Sequence, residues 1–237
     1  MSLYLSRLRL RRDPDVEALK QLIDPAVRGR ALDAHHRLIW TLFADSPERS
    51  RDFLWRAEAR GRFLVLSRRP PRPAPLFELP EVKSFAPDLR SGDRLHYVLR
   101  ANATLSRPRP GGGRGLRSDV VMHLLHAVPG RADLKEGQAS QRAALRGKLA
   151  AEAAQAWMQR QGQSGGFQPD SVLVEDYSVV ALPGHGGPRR GQPQFGILDL
   201  RGSLTVTEPA TFLAALARGF GRAKAFGCGL MLIRRAA

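Results

Sequence analysis

Two adjacent histidines, His35 and His36, are the side chains of this sequence best suited to proton transfer. An imidazole has an unperturbed pKa near neutrality, so it can accept or release a proton at physiological pH. Neighbouring side chains of a helix point about 100° apart, so one active site could use only one of the two. A histidine on an apolar helical face is more often a hydrogen-bonded core residue, and the residues alone leave both interpretations of His36 open.

The histidines fall in a predicted helix over 31–43, where apolar positions recur at spacings of three and four. These positions are Leu32, His36, Ile39, Trp40 and Phe43. Asp33 could cap this helix, which would make His36 its third residue. There the positive end of the helix dipole disfavours an imidazolium, whereas the Asp33 carboxylate favours it. The sequence does not say which effect is larger.

A loop predicted over 105–116 is the strongest candidate for binding an anionic partner. It is rich in glycine and proline, and four arginines lie in or beside it: Arg107, Arg109, Arg114 and Arg117. Arginine matches phosphate oxygens bidentately, and such a segment can contact the phosphates of an RNA duplex, whose major groove is too deep and narrow to read. The alternative is a solvated loop that contacts nothing.

Composition also indicates a polyanionic partner. The net charge is +16 and the sequence pI is about 11.4, an imbalance that opposes the compact state and that phosphates would neutralise. A DNA-binding protein is a weaker alternative, because no helix-turn-helix or zinc-finger pattern is present.

Other classes of site find little support. His123 and His126 lie three apart, but no acidic residue or cysteine is patterned around them, so we expect no metal site there and no cofactor. The single cysteine, Cys228, excludes an internal disulfide and fits a reducing compartment. No apolar run approaches the ~18 residues of a membrane span, and the charged first residues differ from a signal peptide. We expect a soluble, cytoplasmic protein without a membrane partner.

Hydrophobic periodicity predicts two α+β halves. Residues 1–88 have the pattern β-α-β-β, a proline-rich loop and a further strand; residues 94–237 have the pattern β-α-β-β-α-β, with the basic loop as an insertion. We therefore predict two tandem ferredoxin-like, RRM-like (βαββαβ) domains.

The run 219–230 joins the last predicted helix to the last predicted strand through four glycines: Gly219, Gly221, Gly227 and Gly229. Glycine permits positive φ and close backbone approach, either to a ligand or to neighbouring backbone. Tight packing would explain the run as well as a ligand would.

The pattern G-x-G-x-x-K-x-x-G-x-G-L in this run resembles the ending of the CasE family of CRISPR-associated endoribonucleases, within the repeat-associated superfamily. Three further segments resemble that family in the same order: Leu3-Tyr-Leu-Ser-Arg-Leu8, Ala34-His-His-Arg-Leu-Ile-Trp-Thr-Leu-Phe43 with Arg51-Asp-Phe-Leu-Trp55 after it, and Tyr97-Val-Leu-Arg-Ala-Asn102. The matches span nearly the whole chain, and the family's fold is two tandem ferredoxin-like domains.

The resemblance implies a metal-independent endoribonuclease that cuts the stem-loop of a CRISPR repeat transcript by 2′-hydroxyl attack, leaving a cyclic phosphate. It places the catalytic histidine on His36, with His35 as the fallback, and the hairpin-gripping element on the arginine-rich loop. Arg222 and Lys224 of the glycine-rich run are further RNA-binding candidates. The family tyrosine three residues before the histidine is Asp33 here, so charge stabilisation would come from elsewhere, with Arg28, Arg30 and Lys224 as candidates.

The resemblance also implies partners: the crRNA hairpin, which stays bound, and the other Cascade subunits. The rival interpretation is a non-catalytic protein of the same fold that binds structured RNA, with His36 in a structural role.

Overall fold

The computed structural model describes residues 2–46, 48–108, 111, 113, 115–128, 139–182 and 193–236. Its first sheet contains β1 (Tyr4–Arg9), β2 (Phe53–Ala57), β3 (Arg62–Ser67) and β4 (Glu81–Ser84). Three helices separate β1 from β2: α1 (Pro14–Ala18), α2 (Lys20–Ile23) and α3 (Arg28–Trp40). The strands pair antiparallel in the order β2-β3-β1-β4.

The second sheet contains β5 (Arg94–Ala101), β8 (Phe167–Ala181), β9 (Gln194–Val206) and β10 (Met231–Arg235). Between β5 and β8 lie a small hairpin, β6 (Thr104–Arg107) and β7 (Leu116–Asp119), and two helices, α4 (Val120–Ala127) and α5 (Ala139–Gly165). Helix α6 (Pro209–Arg218) and a 3-10 turn (Lys224–Phe226) precede β10. The order is β10-β5-β9-β8, again antiparallel throughout.

Both sheets therefore have the ferredoxin-like order, in which the first strand lies between the third and the fourth, and the α+β fold prediction is confirmed. In the first half no helix joins β3 to β4. The predicted proline-rich loop takes its place, because proline lacks the amide hydrogen of a helix interior. The placement of domain boundaries at 1–88 and 94–237 stays a prediction.

Side-chain alternation explains how each sheet forms a core on one face. In β5, Leu95, Tyr97 and Leu99 are buried against the helices of the second half. In the first half, Trp55 and Phe63 are buried beneath α3.

Two elements differ from the sequence prediction. Helix α3 begins at Arg28, because Val27 rather than Asp33 is the extended residue before it. The capping role predicted for Asp33 is wrong: it lies within the helix and pairs with Arg37 at 2.9 Å. The predicted loop over 105–116 begins and ends in strand, because Thr104–Arg107 pairs with Leu116–Asp119.

In the part of the chain that the structure describes, no helix is long and apolar enough to cross a membrane.

Candidate functional site

His36 lies near the surface, in the second half of α3, and Trp40 one turn later holds its ring. The indole Nε1–H of Trp40 donates to Nε2 of His36 at 3.1 Å, and the ring of Phe53 lies 6.1 Å away, centroid to centroid. Because Nε2 accepts this bond, the neutral imidazole carries its proton on Nδ1. Nδ1 is buried and has no hydrogen-bond partner among the described residues.

Burial and the two arginines Arg51 and Arg37 lower the pKa of His36. Burial disfavours the charged ring and is the largest effect, and the nearby Arg51 guanidinium adds to it. Asp33 opposes them, but its carboxylate is paired with Arg37. The depressed pKa keeps the imidazole neutral at physiological pH, which is the state that accepts a proton.

His35 has a different environment, in the core of the first half. Its Nε2 lies 3.1 Å from a carboxylate oxygen of Asp24, and its ring meets Trp55 and Phe63 edge-on at 6.2 and 5.0 Å. Burial lowers the pKa of His35, while the Asp24 carboxylate partly opposes that shift. This geometry is that of a core histidine held through Nε2, and it leaves His36 as the member of the pair nearer the surface.

Arg51 brings positive charge beside His36 and also lies beside Lys224. Arg51 is half-buried in the segment before β2, and it makes no hydrogen bond or ion pair with any described residue. Lys224 lies in the 3-10 turn, where its Nζ donates to the carbonyl of Arg218 at 2.8 Å. Burial lowers the pKa of Lys224, and Arg51 is the next cause. Arg51 thus lies close enough to affect both His36 and Lys224, and it links α3 and the glycine-rich run through the segment before β2.

The glycine-rich run packs against the protein's own backbone. All four glycines have positive φ, and a Cβ on Gly221 would lie 2.6 Å from the carbonyl oxygen of Asn102. Arg222 N donates to that same carbonyl at 3.0 Å. Of the two uses predicted for these glycines, the structure shows close approach to neighbouring backbone. The run thereby fixes Lys224 beside the first half and leaves Arg222 exposed.

The arginines of the β6–β7 hairpin do not share one face. Arg117 pairs across the hairpin with Ser106, and Arg107 with Leu116, so the two arginine side chains point to opposite sides. Both are exposed, and Arg107 contacts the ring of His123 on α4. Arg109 and Arg114 lie outside the described residues.

Asp119 ties this hairpin to the second sheet. Its carboxylate caps α4 through the amides of Val121 and Met122 at 2.9 and 3.0 Å and accepts the Tyr177 hydroxyl at 3.0 Å. His123 and His126 form no metal cluster: within the described ranges no group of three metal-ligating side chains occurs.

Sequence reasoning did not identify Arg51 and Trp40 as parts of the site. Both lie in segments already noted for their resemblance to the family, which was the one available signal. Neither the hydrogen bond from Trp40 to His36 nor the approach of Lys224 to Arg51 follows from sequence spacing alone. Arg28 instead donates to Ser178 on β8 at 2.7 Å.

Comparisons with known proteins agree on one family. Residues 3–235 match the family model described as CRISPR associated protein. The CRISPR system Cascade subunit CasE of Escherichia coli (strain K12) is 24% identical over 222 residues, which is 90% of this chain and 96% of that protein.

Solved structures match along the whole chain. Cse3 of Thermus thermophilus, bound to an RNA representing a pre-cleavage complex, is 23% identical with a TM-score of 0.64 and covers 99% of this chain and 100% of its own. Cas6e from Escherichia coli K-12 is 20% identical with a TM-score of 0.60, covering 98% and 100%. At these identities the likeness establishes a shared fold.

Proposed function

This chain belongs to the CRISPR-associated protein family, and on that premise we propose that it is an endoribonuclease that processes CRISPR repeat transcripts. Its substrate is the stem-loop of the repeat, which it cuts at the 3′ base of the stem without a metal ion. The observation that carries the proposal is a neutral, near-surface imidazole at His36 beside Arg51, which in turn lies beside Lys224. Neither cation is paired with an acid among the described residues.

The reaction requires no external nucleophile, because RNA carries a 2′-hydroxyl next to each phosphate. His36 accepts the proton of that hydroxyl, the 2′-oxygen attacks phosphorus, and the bond from phosphorus to the 5′-oxygen breaks. The products are a 2′,3′-cyclic phosphate and, once the leaving oxygen takes up a proton, a 5′-hydroxyl. The depressed pKa of His36 suits the accepting role.

Trp40 makes this step depend on substrate binding. Nε2 of His36 already accepts the Trp40 N–H, so it can take the 2′-hydroxyl proton only after that bond is released. RNA binding must therefore move one of these two side chains.

Arg51 and Lys224 take the place of the tyrosine that relatives carry where this chain has Asp33. An ionised aspartate cannot donate to a developing oxyanion, and Asp33 is paired with Arg37. A half-buried cation without a partner stabilises such charge strongly, because few waters compete for it.

The same family membership supports the partners. A relative is the CasE subunit of Cascade, and a solved relative was bound to RNA. We infer that this chain keeps the product RNA hairpin bound and joins a Cascade complex in the cytoplasm. The contacts to the RNA come from Arg222 and from the arginines in or beside the predicted basic loop, Arg107, Arg109, Arg114 and Arg117.

The test is cleavage of a repeat hairpin in EDTA, beside a matched RNA with a deoxy sugar before the scissile phosphate. The proposal predicts that the first is cut and the second is bound but intact. Mass spectrometry should find a cyclic phosphate, lighter than the linear one by one water. Binding of both RNAs without cleavage would instead favour a non-catalytic RNA-binding protein.

A further inference from the structure

One face of the second sheet is covered by α3 at the far ends of β8 and β9, where Val180 and Ile197 pack in the core of the first half, but no helix of the described chain covers it around β5. Alternation along β5 sends Leu95, Tyr97 and Leu99 to the core, and it leaves His96 and Val98 on the other side. We call the uncovered part of that side, around His96 and Val98, the open face.

Strand register arranges the open face in two rows. The first row is Arg234, His96, Ser203 and Ser171, and the second is Leu232, Val98, Arg201 and Leu173. Together they line a shallow groove of about 550 Å³.

The chemistry of these rows suits unpaired bases. His96 and Arg234 are neighbours across the strands, both are exposed, and neither has a hydrogen bond or ion pair with any described residue. Imidazole rings and guanidinium planes stack on bases. Leu173, of which 53% is exposed, offers apolar surface in the adjoining row.

Charge around the rows complements phosphate. Arg201 is paired with Glu175 at 3.2 Å, but both side chains are largely exposed, and such pairs are weak. Around the groove, three arginines face two acids: Arg94, Arg201 and Arg234 against Asp170 and Glu175.

The open face lies away from His36, because α3 packs on this side of the sheet at the far ends of β8 and β9. Trp55 points to the side of the first sheet that α3 covers, so its neighbour Arg56 points to the opposite side. Arg56 reaches Asp199, which lies two residues before Arg201 on the same side of β9, at 4.0 Å. RNA held at His36 therefore does not itself cover the groove. The bases of a duplex are paired and stacked inside the helix, so only the bases of unpaired nucleotides can stack on the side chains of the two rows.

We propose that the open face binds the single-stranded RNA that adjoins the repeat hairpin. This rests on the proposed function, since it takes the hairpin as the RNA held at His36. The open face then adds affinity for the longer transcript without taking part in cleavage.

The experiment measures how much a single-stranded extension adds to hairpin affinity. Full-length protein is titrated with three uncleavable deoxy-substituted RNAs: the hairpin alone, and the hairpin with an unpaired extension of about ten nucleotides on its 5′ or its 3′ side, a length within the site sizes of single-strand-binding modules. The proteins are wild type, the double variant His96→Ala with Arg234→Ala, and Arg160→Ala. Arg160 is an exposed residue of α5, on the covered side of the same sheet, and controls for lost charge.

We expect one extension to tighten binding to the wild type and to Arg160→Ala by about ten-fold, the effect of one stacked base. The double variant should lose that gain and bind the bare hairpin as the wild type does. Equal affinity of the wild type for all three RNAs, as expected if the open face docks a protein subunit, would overturn the proposal. The proposal would also be overturned if the extension increased the affinity of the double variant as much as it increases that of the wild type. Failure to bind the bare hairpin at all would instead contradict the proposed function.

Discussion

Arg51 is the residue that most changes the account of the site, because it supplies charge where Asp33 cannot. It is half-buried, has no partner among the described residues, and lowers the pKa of both His36 and Lys224. A phosphate placed against it would meet a guanidinium that no acid of the described residues neutralises.

Arg51→Gln should therefore affect proton affinity and catalysis together. Without the guanidinium the pKa of His36 rises toward its ordinary value of about 6.5, and single-turnover cleavage slows by about 10²-fold, as for loss of one transition-state donor. NMR titration of His36 and a cleavage time course measure the two effects. Arg49→Gln is the matched control, since Arg49 is occupied by Asp45 at 2.9 Å. An unchanged pKa together with a wild-type rate would remove Arg51 from the site.

At the scale of elements, the glycine-rich run positions Lys224 by packing on β5. A side chain at Gly221 would strain the backbone at a φ of 71° and would collide with the Asn102 carbonyl. Adding a single methyl group at Gly221 should therefore disturb the glycine-rich run.

Gly221→Ala should destabilise the protein by about 1–3 kcal/mol and slow cleavage as well, because Lys224 shifts. Urea unfolding measures the free energy. The same change at Gly147 should have the opposite sign, stabilising by about 0.5–1 kcal/mol, since that helical glycine has open space around it. A Gly221→Ala protein as stable as the wild type would mean that the run is not a rigid support.

The β6–β7 hairpin gives a prediction about binding. Arg117 is exposed and makes no ion pair with the described chain, so Arg117→Ala should weaken hairpin RNA binding and lower the slope of log Kd against log salt by about one. Arg117→Lys should keep the slope. An unchanged slope in the alanine variant would show that Arg117 contacts no phosphate.

The helices and strands were predictable from the sequence, whereas the candidate site was predictable only in part. Alternation predicts β5, and a 3.6-residue repeat predicts α3, because both depend on neighbours in the chain. The start of α3 was misplaced because Asp33 has the chemistry of a cap but pairs within the helix instead. The approach of Arg51 to both His36 and Lys224 brings together distant segments of the chain, which no local pattern encodes.

At the scale of the molecule, the histidines of α3 link stability to pH. The pKa values of His35 and His36 are both lowered by burial, so between the folded and unfolded pKa values the unfolded chain binds more protons. Their stabilising effect is present above about pH 6.5 and is lost as the pH falls through the folded values.

The free energy of unfolding should consequently fall as the pH drops from about 7.5 through 6.5 to 5.5, measured by urea titration at each pH. The His35→Gln variant should show a weaker dependence of the free energy of unfolding on pH, because only the contribution of His36 remains. A wild-type free energy that does not change over this range would contradict the depressed pKa values.

The most direct test of the account compares His36→Ala with His35→Gln in single-turnover cleavage of a repeat hairpin in EDTA. The account predicts that His36→Ala binds the RNA but cleaves about 10²–10⁴-fold more slowly, as for loss of a general base. It predicts that His35→Gln, with its change confined to the core, cleaves at close to the wild-type rate. A wild-type rate in His36→Ala would contradict the assignment of the active site to His36.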